Sequence, residues 1–194
     1  MKYLAQGNPD HQIGAGSGTK EDHGDLVYLG NSNARYLYGF NISAQWKGFD
    51  FSMMFQGVGK RKIMIDAAAI APFYTTYQMP WTIHRDYWTE DNQDAFWPRL
   101  YDYKTNNGGE NFNFRPSDKW VQDASYLRLK NITLGYTIPY TKKYVNSVRV
   151  YITGNDIWEH SDLLKVFDPE AGNNVGRNYY PFFRTWAFGV NITF

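Results

Sequence analysis

Large apolar residues recur at every second position over several stretches of the chain. Tyr36, Tyr38, Phe40, Ile42, Ala44 and Trp46 share one parity, with Gly39, Asn41, Ser43 and Gln45 on the other. Successive side chains of a β-strand point to opposite faces, so this alternation predicts a strand with one apolar face. Lys47-Gly48 follows as a two-residue turn signal. Alternation then resumes with Phe49, Phe51, Met53 and Phe55 against Asp50, Ser52 and Gln56. A third strand places Ile132, Leu134, Tyr136 and Ile138 opposite Asn131, Thr133, Gly135 and Thr137, and Pro139 is expected to end it. After a short polar turn over Tyr140 to Asn146, Val148, Val150 and Ile152 mark a fourth strand. Trp186, Phe188, Val190, Ile192 and Phe194 mark a fifth, against Ala187, Gly189, Asn191 and Thr193. The predicted strands are 36–46, 49–59, 126–138, 148–157 and 184–194.

Several of these strands approach the ~9–11 residues that cross a bilayer at a tilt. The connections alternate short and long, with irregular stretches over 60–120 and 159–182. That rhythm suits an up-and-down transmembrane barrel with short turns on one side and long loops on the other. It suits a compact soluble domain less, because a sixty-residue loop is unusual there. The expected fold is all-β, antiparallel strands of a transmembrane β-barrel with long extracellular loops, covering 1–194 as one unit. Residues 1–34 read as loop, and Ile63 to Ile70 as a short helix. Arg149 has the parity of the polar face. Arg128 and Lys130 share the parity of Ile132, which places them above the apolar band, pairing or snorkelling at the extracellular rim.

Composition agrees with this picture. Aromatic residues make up 19% of the chain while mean hydropathy is only -0.58, as expected where strands alternate between lipid and a polar interior. A net charge of +1 offers no basic face for nucleic acid. With no cysteine there is neither a disulfide framework nor a thiolate metal site. No run of ~18 apolar residues is available for a transmembrane helix. The amino terminus shows no apolar signal-peptide core, so the chain is expected to be the carboxy-terminal piece of a longer protein.

Little in the sequence suggests catalysis. His11, His23, His84 and His160 are widely spaced, and no nucleophile elbow or phosphate-binding loop is present. Asp86, Glu90, Asp91 and Asp94 lack a calcium-loop spacing and read as a solvated loop. No enzyme activity, metal or cofactor is expected. The strand aromatics are explained by lipid. Those of the long loop are not, so Trp88, Trp97, Arg99, Tyr101 and Trp120 are the candidate ligand or lid-partner contacts. Packing of the loop's own small core is the competing reading.

The final strand, Trp186, Phe188, Val190, Ile192 and Phe194, resembles the assembly signal of bacterial outer-membrane barrels. More widely, the chain resembles the SusC/RagA-type TonB-dependent transporters of Bacteroidota over about residues 24–194. The resemblance is carried by Tyr38-Gly39-Phe40-Asn41-Ile42-Ser43-Ala44, Phe55-Gln56-Gly57, Asp86-Tyr87-Trp88-Thr89-Glu90 and Pro98-Arg99-Leu100. It continues through Asp123 to Tyr136, Val148 to Tyr151, Gly154-Asn155, Phe167-Asp168-Pro169-Glu170 and Tyr180-Pro181. It implies a barrel of about 22 strands plugged from within, located in the cell outer membrane and importing oligosaccharides or peptides with energy delivered through TonB. It further implies a SusD-type surface lipoprotein as lid, and the barrel assembly machinery and outer-membrane lipid as partners. Two other readings compete: a soluble aromatic-rich carbohydrate-binding β-sandwich, and a small barrel or adhesin complete in itself.

Overall fold

Period-two alternation produces one antiparallel sheet. The computed structural model describes residues 14, 16–74, 79–100, 112–114, 116–142, 144–171 and 182–194. The strands are β1 (Tyr36–Trp46), β2 (Phe49–Gly59), β3 (Lys62–Met64), β4 (Val121–Asp123), β5 (Tyr126–Lys142), β6 (Val145–Ser161) and β7 (Thr185–Thr193). Five of them form a single sheet in the order β1-β2-β5-β6-β7, and β3 pairs with β4. The five-stranded sheet is open, with β1 and β7 at its edges among the described residues. Two compact units result, Met1–Gly30 with Ile65–Val121 and Asn31–Met64 with Gln122–Phe194.

Register places the apolar rows together. Phe51 lies opposite Leu134 and Met53 opposite Ile132; Leu134 in turn faces Ile152, which faces Phe188. The outer face is therefore a continuous apolar surface, with Ile42, Leu134, Val150, Phe188 and Ile192 all exposed and Phe188 80% so. The other face carries a polar ladder. Asn131 Nδ2 donates to Thr153 Oγ1 (3.0 Å) and Asn155 Oδ1 (2.8 Å), and the Thr133 and Thr153 hydroxyls lie 2.8 Å apart.

The β1–β2 turn is set by Lys47 and Gly48, both at positive φ (46° and 90°). Tight two-residue hairpin turns of this hand require it. A Cβ on Gly48 would stand 2.9 Å from the Thr137 carbonyl oxygen.

Three sequence expectations change. Pro139 does not end its strand: β5 continues to Lys142, with Pro139 opposite Ser147 and an irregularity just beyond it. Proline removes one donor from a ladder and is tolerated where pairing is already broken. β6 runs on to Ser161, so β5 and β6 are 17 residues each. The stretch Ile63 to Ile70 divides into the end of β3 and one helical turn, α1 (Ala67–Ile70), whose N-cap Asp66 accepts from Ala68 N at 2.9 Å.

The third correction concerns Arg128. Against β2, Met54 pairs with Asn131 but Phe55 pairs with Leu129, so Lys130 is an extra residue in β5. Against β6, Asn131 pairs with Asn155 and Leu129 with Trp158, with Asp156 held at a positive φ of 50°. Such a bulge shifts the pleat by one residue and swaps the faces beyond it. Leu129 joins Phe55 and Trp158 on the apolar face, while Arg128 joins Gln56 and Glu159 on the polar face.

Candidate functional site

The bulge assembles a cluster of charges on the polar face. Arg128, 3% exposed, places Nη2 on Asp168 Oδ1 (2.8 Å) and on Glu159 Oε2, and Nη1 3.3 Å from Glu170 Oε1. Lys130 Nζ lies 3.0 Å from Asp156 Oδ1 and 3.1 Å from Glu170 Oε2. Asp168 and Glu170 belong to the stretch that follows β6. Leu163, Phe167 and Pro169 bury there, and Arg61 Nη1 donates to the Pro169 carbonyl at 3.0 Å. Charged groups leave water only when paired; these two cations hold the turn against the sheet through Asp168 and Glu170, while Glu159 and Asp156 of β6 complete their pairing.

A second ion pair sits lower on the same face. Asp50 of β2 and Arg149 of β6 meet at 2.9 and 2.5 Å although β5 runs between them. Gly135 makes this reach feasible: a Cβ there would lie 2.4 Å from Asp50 Oδ1 and 2.6 Å from Arg149 Nη2. Arg149 also covers the Tyr151 ring at 4.8 Å, and that ring occupies the space above Gly189. Arg149 thus takes the polar side its parity indicates.

In the other unit, aromatic residues of the long loop build a core of their own. Trp120, 1% exposed, stacks on Phe114 (5.2 Å) and Trp97 (5.6 Å) and donates Nε1–H to the Asn113 carbonyl at 2.9 Å. Trp97 is 3% exposed and meets the edge of His84 at 4.7 Å. His84 accepts from Trp81 N at Nδ1 (2.8 Å), which leaves Nε2–H to donate to the Ile70 carbonyl (2.6 Å). Burial holds its pKa below the usual value, outweighing the two backbone bonds. Lys119 Nζ donates to the Phe96 carbonyl at 2.5 Å and lies over the Phe96 and Trp120 rings; burial lowers its pKa as well.

Residues 86–97 form a pinned loop. Trp88 N donates to the Trp97 carbonyl (2.9 Å) and Trp97 N to that of Asp86 (3.1 Å). The Asp86 carboxylate accepts from Phe96 N (3.0 Å) and Asn92 Nδ2 (3.1 Å), and these bonds, the first foremost, keep its pKa low. Beside this loop is a cavity of about 420 Å³ lined by Trp88, Gln93, Trp97, Pro98, Arg99 and Asn113.

Of the five sequence candidates, Trp88, Trp97 and Arg99 share this cavity. Trp120 is a core residue with both ring faces and its N–H engaged, and Tyr101 lies outside the described residues, as does His11. The Arg128 cluster was missed. Its signal was a break in phase, since Leu127 and Leu129 carry odd numbers whereas Ile132, Leu134 and Tyr136 carry even ones. Among the described residues no group of three or more His, Cys, Asp or Glu could hold a metal.

A single-layer antiparallel sheet, apolar on one face and ladder-bonded and ionic on the other, defines a section of a transmembrane β-barrel wall. No helix among the described residues is long and apolar enough to cross a membrane. Over 98% of its length the chain is 29% identical to TonB-dependent receptor P26 of Formosa agariphila, covering 21% of that protein. It is 36% identical to the TonB-dependent receptor SusC of Bacteroides thetaiotaomicron over 40% of this chain and 8% of that one. A solved structure of the RagAB peptide transporter aligns with 80% of this chain and 17% of its own at 28% identity, TM-score 0.60. The RagAB peptide importer in its closed-closed state aligns with 98% of this chain and 21% of its own at TM-score 0.66; at 23% identity that match speaks for the fold alone. No family model matches. The chain is a segment of a SusC/RagA-type TonB-dependent transporter of the outer membrane. It spans about a fifth of the length of receptor P26.

Proposed function

We propose that the chain forms the carboxy-terminal wall strands and extracellular loops of a TonB-dependent importer of oligosaccharides or peptides, and performs no catalysis itself. The observation that carries this reading is the two-faced sheet, in which five strands keep apolar rows on one side and hydrogen-bonded polar rows on the other. A soluble β-sandwich needs a second sheet to cover the apolar face, and the only other sheet among the described strands has two short ones. In this reading the two short hairpin turns, at Lys47-Gly48 and after Lys142, face the periplasm. Trp186, Phe188, Val190, Ile192 and Phe194 serve as the assembly signal read by the barrel assembly machinery. A surface lipoprotein of the SusD type lids the mouth and TonB acts through other parts of the full-length protein. Trp88, Trp97 and Arg99 are the contact residues of the loop.

Uptake by cells carrying the intact receptor tests this reading. Accumulation of labelled oligosaccharide or peptide should stop when TonB is removed or the proton gradient is collapsed. Uptake unaffected by either treatment would exclude it.

A further inference from the structure

We propose that the cavity beside residues 86–97 is a binding site for an anionic saccharide, a sugar ring bearing a carboxylate or sulfate. The proposal rests on the importer reading and names the ligand class of that loop. Three observations carry it. First, the cavity has about 420 Å³, inside the ~300–1,000 Å³ range of small-molecule sites, and two tryptophans line it. Trp97 is fixed by its stack on Trp120 and its edge contact with His84. Trp88, half-buried, has its backbone N–H tied to Trp97. Trp97, 3% exposed, is enclosed by these rings and backs the cavity, so the half-buried Trp88 supplies the indole surface, which suits the apolar C–H face of a pyranose at little cost in side-chain entropy.

Second, among the described residues the one charged side chain lining the cavity is Arg99, which is exposed and forms no ion pair with any other of them. A guanidinium presents a planar fork matched to carboxylate or sulfate oxygens. The nearby Asp86 carboxylate is engaged by Phe96 N and Asn92, and Glu90, Asp91 and Asp94 do not line the space. Gln93, whose Nε2 is held by the Glu90 carbonyl at 3.1 Å, offers its amide oxygen as an acceptor for hydroxyls.

Third, the backbone of the loop is unsuited to an extended peptide. Peptides commonly bind by adding a strand to a free edge, but the Trp88 N–H, the Trp97 N–H and the Trp97 carbonyl are already paired within the loop. Recognition is left to side chains, as a sugar ring requires.

Calorimetry on the intact receptor in detergent tests the site with four probes: an oligouronate, a sulfated oligosaccharide, a neutral oligosaccharide of the same linkage and a tetraglutamate peptide. The expected result is that at least one anionic saccharide binds about tenfold or more tighter than the neutral one and than the peptide. Arg99→Gln should remove that preference, about tenfold in Kd, and Trp88→Ala should abolish binding of anionic and neutral saccharides alike. Equal binding of neutral and anionic saccharides, preferential binding of the peptide, no saccharide binding, or an anion preference that survives Arg99→Gln would each overturn the proposal. Failure of the importer reading is distinguishable, since it shows as TonB-independent uptake by the unmodified receptor whatever these titrations give.

Discussion

Replacing Arg128 by methionine should destabilise the wall by an amount that depends on pH in an unusual direction. The guanidinium is 3% exposed and serves Asp168, Glu159 and Glu170, with the Asp168 side chain itself 8% exposed and that of Glu170 13%. Methionine keeps much of the stem's packing but leaves those carboxylates without their main cation. Breaking a buried pair by removing one partner costs about 3–5 kcal/mol. Lys130 still reaches Glu170 and Glu159 is partly exposed, so the lower half of that range is expected. The stranded acids can relieve part of the loss by taking up protons, because burial without a cation disfavours the charged form. A carboxyl whose folded pKa lies above its unfolded one binds more protons folded than unfolded, so stability falls as pH rises. The deficit of Arg128→Met should therefore be larger at pH 8 than at pH 5. Thermal unfolding in detergent at both pH values, with limited proteolysis of the 162–171 turn, measures it. Adding Asp168→Asn should recover part of the loss by removing the most buried carboxylate charge. A loss under about 1 kcal/mol, a deficit that shrinks with rising pH, or no recovery in the double variant would refute the reasoning.

Two further outcomes follow from other parts of the chain. Gly135→Ala should cost about 1–3 kcal/mol through overpacking, because its Cβ would intrude on the Asp50–Arg149 pair; in a thermal-shift cycle with Arg149→Gln the two losses should not add. Acidification should loosen the 65–121 loop. The folded state holds His84 neutral, with Nδ1 accepting from Trp81 N, while the unfolded chain takes up its proton near about pH 6.5. The contribution is thus complete above that pH and declines as pH falls toward the lowered folded value. Protection factors for hydrogen exchange at the Trp81 and His84 amides, corrected for the intrinsic slowing of exchange at lower pH, should fall between pH 7.5 and 5, and should lose that dependence in His84→Gln.

Much of the sheet was legible because burial on one face leaves a period-two trace that pairing cannot change without turning every side chain over. Tyr36 to Phe55 shows this best, since the Lys47-Gly48 turn fixes the register of both strands at once. What escaped was the exception to that rule. Leu127-Arg128-Leu129-Lys130 alternates apolar bulk and charge without a gap, and carrying the parity of Ile132 backward put Arg128 on the wrong side. The step of three from Leu129 to Ile132 recorded the bulge, and the partners Asp168 and Glu170, forty residues away, gave its reason. The loop site was legible in kind but not in membership. Aromatic content alone could not separate Trp120, enclosed by Phe114 and Trp97, from Trp88 at the cavity wall.

The central claim is that one face of this sheet meets lipid and that the faces exchange within β5. This chain has no cysteine; in the intact receptor, with any cysteine elsewhere replaced, single cysteines are placed along β5 from 127 to 138, labelled with a fluorophore and tested for quenching by brominated lipid tails. The account predicts strong quenching at 132, 134, 136 and 138, weak quenching at 131, 133, 135 and 137, and a shift of phase at Lys130 that makes 127 the lipid-facing position and 128 the protected one. Uniform quenching, none at all, or a single unbroken phase through Lys130 would contradict it.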